Sequence, residues 1–125
     1  MKKILVVDDD PDILDVVSTL LKNHHHFDVQ TTTKWKNVFD LTSTYKPDLI
    51  LLDITLGGAD GREICRQLKD STLSKNIPVI LFSANYNMGG NLKGCRADAF
   101  IQKPFEFSNL VDTIKLHLIE PSLIR

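Results

Sequence analysis

Five polar side chains stand directly after short apolar runs of the sequence, and together they could form a metal-assisted reaction centre. They are Asp8 and Asp9 after residues 4–7, Asp53 after residues 49–52, Ser83 after residues 79–82 and Lys103 after residues 99–102. In a parallel sheet, functional residues gather beyond the carboxyl ends of the strands. If the apolar runs are strands of one such sheet, three carboxylates, a hydroxyl and an ammonium converge on one edge.

Three carboxylates at one edge require compensating positive charge. Two like charges roughly 4 Å apart repel by about 4 kcal/mol at an effective dielectric constant near 20. Lys103 supplies one positive charge, and a divalent cation is the obvious source of the rest. Oxygen-only ligands favour Mg²⁺, which keeps several waters and leaves room for a phosphate oxygen. Since a carboxylate beside Mg²⁺ and a lysine can attack phosphorus, these residue types indicate aspartyl phosphate chemistry.

The elements that must position these side chains alternate along the chain. Apolar runs predict five strands, and helical spacing of apolar residues follows each of them. Asp10 and Pro11 suit the start of the first helix. Residues 86–96 are expected to form the fourth helix despite their glycines, and the fifth is expected to end near Pro121. The alternation predicts an α/β fold with a doubly wound, five-stranded parallel sheet and five helices.

Length and composition indicate one domain covering residues 1–125. Hydrophobic residues make up 42% and charged residues 25% of the 125 positions, which is ordinary for a globular protein. The net charge of −1 does not favour direct binding of nucleic acid or an anionic membrane. Cys65 and Cys95 form neither a disulfide framework nor a metal motif. Because no apolar run reaches the ~20 residues of a membrane span, we expect a cytoplasmic domain.

Taken in order, the same segments resemble the receiver domain of response regulators in two-component and phosphorelay signalling. The resemblance covers nearly the whole chain and rests on Ile4-Leu5-Val6-Val7-Asp8-Asp9, Asp48-Leu49-Ile50-Leu51-Leu52-Asp53, Asp60-Gly61, Val79-Ile80-Leu81-Phe82-Ser83-Ala84 and Lys103-Pro104-Phe105. A single motif of this kind would be weak, but the ordered set is specific. The resemblance implies the CheY-like, flavodoxin-like three-layer fold with strand order 2-1-3-4-5.

The resemblance also implies how phosphoryl transfer would be divided among the residues. Asp53 would be the phosphoacceptor for a histidine kinase or a histidine phosphotransfer protein. Asp8, Asp9 and Asp53 would bind Mg²⁺ together with the main-chain carbonyl of Thr55. Lys103 would pair with the phosphoryl oxygens. The domain would thus catalyse its own phosphorylation as a signalling switch, rather than act as a turnover enzyme.

A second set of implied roles concerns the switch. Ser83 would move its hydroxyl onto the phosphoryl group, and Phe100 would turn inward and remodel the face formed by the fourth helix, fifth strand and fifth helix. The bond between Lys103 and Pro104 is expected to be cis. A downstream protein, or an output domain outside this chain, would read that face, with the domain a monomer or a weak dimer through it. Both a stand-alone regulator and a receiver within a longer protein fit the sequence.

Two departures from the family pattern, and two residues expected beside the acyl phosphate, affect these expectations. Leu56-Gly57-Gly58-Ala59 stands where the family often has proline, so we expect a looser loop over the site. Arg96 stands where a glycine usually precedes Ala97. Thr55 and Asn85 are expected to flank the water that hydrolyses the acyl phosphate. Because neither side chain is an acid or a base, fast self-dephosphorylation is not expected.

Two other functions are compatible with parts of the pattern. A hydrolase of the haloacid dehalogenase type shares the aspartyl phosphate chemistry and the sheet class, but it requires a second aspartate two residues after the nucleophile. Thr55 occupies that position here. A receiver-like interaction module that never takes phosphate would normally have lost an acidic residue or the lysine, and none is missing. That phosphate-independent module remains the alternative.

Overall fold

The computed structural model describes residues 1–84 and 94–118. Strands and helices follow one another in the order β1 (Lys3–Val7), α1 (Pro11–His25), β2 (Asp28–Thr32), α2 (Asn37–Thr44), β3 (Leu49–Asp53), β4 (Thr55–Leu56), β5 (Ala59–Asp60), α3 (Gly61–Asp70), β6 (Val79–Ser83), β7 (Ala99–Gln102) and α4 (Phe107–His117). No helix within these residues combines the length and the apolar character needed to cross a membrane.

Five strands form one sheet in the order β2-β1-β3-β6-β7, and every pairing in it is parallel. This is the predicted order 2-1-3-4-5, because a separate hairpin of β4 and β5 only shifts the numbering of the last two strands. Every residue of β3 and β6 is buried, as expected for central strands covered on both faces. The predicted doubly wound α/β fold is therefore confirmed.

Two apolar clusters lie on opposite faces of the sheet. Alternate residues of β1 enter different clusters, with Ile4 and Val6 on the face of α1 and α4 and Leu5 and Val7 on the face of α2 and α3. This alternation follows from the two-residue period of a strand. At the start of α1, the carboxylate of Asp10 accepts a hydrogen bond from the N–H of Asp12, so Asp10 is the predicted N-cap.

The helix predicted at residues 86–96 falls mostly outside the described residues, which omit 85–93. Its last three positions, 94–96, form a turn rather than a helix. Arg96 adopts a positive φ of 61° there, a conformation that favours glycine. The strand β7 begins three residues later. The described residues accordingly contain four helices, and α4 ends at His117 rather than near Pro121.

The loop over the carboxylates is a hairpin that the sequence did not predict. Thr55 pairs with Asp60 and Leu56 with Ala59, and residues 57 and 58 make the turn. Gly58 has a φ of 81°, and a turn with positive φ at its second central residue favours glycine at that position. The residues on either side of this turn are paired as strands, an arrangement that the expectation of a looser loop did not include.

Gly61 begins α3 in direct contact with the main chain at the end of β3. Its N–H donates a hydrogen bond to the carbonyl of Ile54 at 2.7 Å. A Cβ atom at this position would overlap the carbonyl oxygen of Asp53 and would lie 2.8 Å from the Cα of Ile54. The absence of a side chain at Gly61 therefore lets α3 start directly beside Asp53.

We expect Gly61→Ala to lower the free energy of unfolding by about 1–3 kcal/mol, because the new methyl group overpacks against backbone that cannot move independently. Urea denaturation followed by circular dichroism measures the change. Gly57→Ala is the matched control, since its new methyl would meet only a carboxylate oxygen of Asp9, at 4.0 Å. Equal losses in the two variants would contradict the close packing of Gly61.

Candidate functional site

Three carboxylates meet beyond the carboxyl ends of β1 and β3. Asp8 is fully buried, Asp53 is 4% exposed and Asp9 is exposed. One oxygen atom from each residue lies within 4.8 Å of the corresponding oxygens of the other two. The structure thus brings together the three acidic residues that the sequence singled out.

The two buried carboxylates are oriented by main-chain N–H groups two residues further along the chain. Oδ1 of Asp8 accepts a hydrogen bond from the N–H of Asp10 at 2.9 Å. Oδ1 of Asp53 accepts one from the N–H of Thr55 at 3.1 Å. Such local turns are typical of aspartate after a strand. Each carboxylate consequently presents its other oxygen, Oδ2, to the centre of the cluster.

Lys103 reaches this centre from the loop after β7. Its Nζ lies 2.8 Å from Oδ2 of Asp8 and 3.5 Å from Oδ2 of Asp53. The N–H of Lys103 donates to the carbonyl of Ser83 at 2.9 Å, which fastens the loop to the end of β6. The peptide bond between Lys103 and Pro104 is cis. The ammonium of Lys103 therefore contacts two of the three carboxylates.

Within the described residues, the three carboxylates outnumber the one ammonium that contacts them. Burial, and then the charge of Asp8, raise the pKa of Asp53 to about 6, although Lys103 and the N–H of Thr55 act in the opposite direction. A bound cation would reduce the repulsion between the carboxylates of Asp8 and Asp53. The donor atoms are all carboxylate oxygens, and this is the ligand set that fits a hard divalent cation such as Mg²⁺. Asp8, Asp9 and Asp53 could hold that ion.

Of the four remaining predicted residues, three lie within the described part of the chain. Ser83 ends β6 and is 2% exposed. Thr55 begins β4 and is exposed. Phe100 is partly buried in β7, where it pairs with Leu81 and packs against the cluster of α2 and α3. Asn85, the other residue expected near a hydrolytic water, lies outside the described residues.

One residue at the site was missed by sequence reasoning. The ring of Phe82 lies under the ammonium of Lys103, with Nζ 4.5 Å from the ring centroid. The run 79–82 is apolar throughout, so it carries no alternation that would distinguish a residue facing the core from one at the site. The only available signal was the position of Phe82 directly before Ser83.

Comparison with known proteins gives a consistent result. The chain matches the family model of the response regulator receiver domain over residues 4–115. Similar solved structures include the signal receiver domain of a signal transduction histidine kinase from Syntrophus aciditrophicus, with 27% identity, a TM-score of 0.86 and coverage of 100% of this chain and 94% of that chain. The receiver domain of NtrX from Brucella abortus has 29% identity, a TM-score of 0.82 and coverage of 92% and 97%.

A third similar structure was solved with ligands. The response regulator TrrA from Thermotoga maritima, in complex with Mg(2+)-BeF, has 27% identity to this chain and a TM-score of 0.84. The match covers 94% of this chain and 99% of that chain.

The raised pKa of Asp53 predicts a pH dependence of stability in metal-free protein. An acid whose pKa is raised on folding stabilises the folded state most below its unfolded pKa, near 4, and this contribution is lost as pH rises through about 6. We therefore compare the free energy of unfolding of Asp53→Asn with that of wild type. The variant's value minus the wild-type value is expected to be about 2 kcal/mol larger at pH 7 than at pH 4.

Urea denaturation of both proteins at several pH values, with chelator present, measures this difference. Asp10→Asn is the control, because Asn also caps helices well and position 10 lies outside the three-carboxylate cluster. A difference between Asp53→Asn and wild type that stays constant with pH would contradict the raised pKa.

Proposed function

The chain belongs to the response regulator receiver domain family, and from this premise we propose that it is a phosphoacceptor switch of a two-component or phosphorelay system. Asp53 takes a phosphoryl group from a histidine kinase or a histidine phosphotransfer protein. One observation carries the proposal: a buried carboxylate, Asp53, stands within hydrogen-bonding reach of Lys103 and beside the carboxylates of Asp8 and Asp9.

In the transfer, a carboxylate oxygen of Asp53 forms a bond to phosphorus while the bond from phosphorus to the donor's imidazole nitrogen breaks. Lys103 balances negative charge on the phosphoryl oxygens, since its ammonium already lies 3.5 Å from Oδ2 of Asp53. The N–H of Thr55 holds the other carboxylate oxygen and so fixes the orientation of the acceptor.

Asp8, Asp9 and Asp53, with the main-chain carbonyl of Thr55, would hold Mg²⁺. When bound, the ion offsets charge on the phosphoryl oxygens during transfer. The oxygen-only donor set supports this assignment, and so does the similarity to TrrA, whose structure contains Mg(2+)-BeF.

The phosphohistidine partner would dock on α1 and the loop after β7. Val16 is 57% exposed, and the partly buried Ile13 and Leu20 extend the same face of α1. A cavity of about 380 Å³ adjoins this face and is lined by Ile13, Ala84, Lys103, Pro104 and Phe105. Because Lys103 lines the cavity and also contacts Asp53, a partner bound here would present its phosphohistidine to the acceptor.

The conformational change that follows phosphorylation of Asp53 would be transmitted through β6 and β7. Ser83, at the end of β6, would shift its hydroxyl onto the phosphoryl group, and Phe100 would respond on the neighbouring strand. The register supports this route, since Leu81, two residues before Ser83, pairs with Phe100. The remodelled surface would be read by a downstream protein or an output domain.

Mg²⁺ is expected to stabilise the wild-type protein, because a ligand that binds only the folded state adds about 2.7 kcal/mol at a hundredfold excess over its dissociation constant. We expect Asp9→Asn to lose most of this gain without unfolding, since Asp9 is exposed. Thermal melts across a MgCl₂ titration provide the measurement, with Asp10→Asn as the control that keeps the gain. A full gain in Asp9→Asn would exclude Asp9 as a ligand.

Incubation with acetyl phosphate and Mg²⁺ is expected to add one phosphoryl group to the wild type and to Asp10→Asn, but none to Asp53→Asn or to samples with excess chelator. Intact-mass spectrometry shows the addition directly. A phosphoryl group on Asp53→Asn would mean that another residue is the acceptor. No addition to wild type at any Mg²⁺ concentration, with acetyl phosphate or phosphoramidate, would favour the phosphate-independent module.

A further inference from the structure

The ammonium of Lys103 lies over the aromatic ring of Phe82. Nζ of Lys103 lies 4.5 Å from the ring centroid, inside the distance of about 6 Å over which a cation is attracted to an aromatic face. Phe82 is fully buried, whereas the Lys103 side chain keeps 18% exposure. The contact thus lies where the site meets the core, and one side of the ammonium faces the ring instead of water.

The surrounding structure fixes the position of this ring. Phe82 pairs with Asp53 on one side and with Ile101 on the other, so it occupies the same level of the sheet as the acceptor. Its carbonyl accepts a hydrogen bond from the N–H of Ile54 at 3.0 Å. The ring packs edge-on against Phe105, with centroids 6.3 Å apart and planes at 86°. Phe82 therefore cannot turn away from Lys103 without disrupting the core.

The ammonium needs such a third contact because its two carboxylate partners are unequal. Nζ is 2.8 Å from Asp8 but 3.5 Å from Asp53. A lysine has a flexible four-carbon stem and a strongly hydrated head, so the two carboxylates alone would let it settle on Asp8 or swing toward solvent. The ring attracts the ammonium from below and keeps it within reach of Asp53.

We propose that Phe82 is a positioning residue for phosphoryl transfer, because its ring holds the Lys103 ammonium beside Asp53 through a cation–π contact. This role rests on the proposed function of Asp53 as phosphoacceptor. Phe82 touches neither the phosphoryl donor nor the reacting oxygen in this role, and it acts entirely through Lys103.

The test replaces Phe82 with mono-, di-, tri- and pentafluorinated phenylalanine, which withdraw electron density from the ring face with little change in shape. We expect the labelling rate at saturating acetyl phosphate to fall stepwise with fluorine content, by about threefold to tenfold over the series. The acetyl phosphate concentration at half-maximal rate should change less than the maximal rate. The same series at Phe39, a partly buried ring on the other face of the sheet, is the control and should show no such trend.

A proton NMR measurement tests the contact without relying on phosphorylation. The ring current of Phe82 should shift the Lys103 Hε protons upfield in wild type, and Phe82→Leu should abolish this shift. A flat fluorine series in a protein that does become phosphorylated would overturn the positioning role while leaving the proposed function intact. If wild type takes no phosphoryl group, the proposed function fails and the positioning role fails with it, even where the ring-current shift confirms the contact.

Discussion

The ion pair between Lys103 and Asp8 joins side chains 95 positions apart in the chain, and the geometry of the site depends on it. Two strands, β3 and β6, separate β1 from β7 in the sheet, so Lys103 must cross both of their ends to reach Asp8. A fully buried carboxylate is unfavourable unless it is paired and hydrogen-bonded. The pairing of Asp8 therefore requires the order β1-β3-β6-β7, which brings the lysine to it.

Within the described residues, this pairing leaves the site with fewer positive than negative charges. Of the three carboxylates, Lys103 contacts those of Asp8 and Asp53. Burial, and then the charge of Asp8, raise the pKa of Asp53. A protein optimised only for stability would replace one of the acids with a neutral residue, because each unpaired charge raises the free energy of the folded state. Retaining all three is consistent with a site whose folded state is completed by a cation and an anionic phosphoryl group, as we propose.

Much of this site could be predicted from the sequence, because the carboxyl ends of parallel strands share one edge and apolar runs mark those strands. Asp8, Asp53 and Lys103 followed from that rule alone. The ring of Phe82 did not, since a strand buried on both faces has no alternation to show where each side chain points. The hairpin at Gly57 and Gly58 was also missed. Two adjacent glycines indicate a conformationally free backbone, but here they form the turn between two paired strands.

That hairpin changes how the acceptor is connected to the rest of the fold. It runs from Thr55, whose N–H orients Asp53, to Asp60, which caps α3 by accepting a hydrogen bond from the N–H of Arg62. Gly61 then returns the chain to the carbonyl of Ile54, directly after the acceptor. The segment is a closed loop of hydrogen bonds that begins and ends beside Asp53. A charge added to Asp53 would therefore act on a carboxylate whose main chain is fixed, and the strain would fall on the side chains around it, Lys103 first among them.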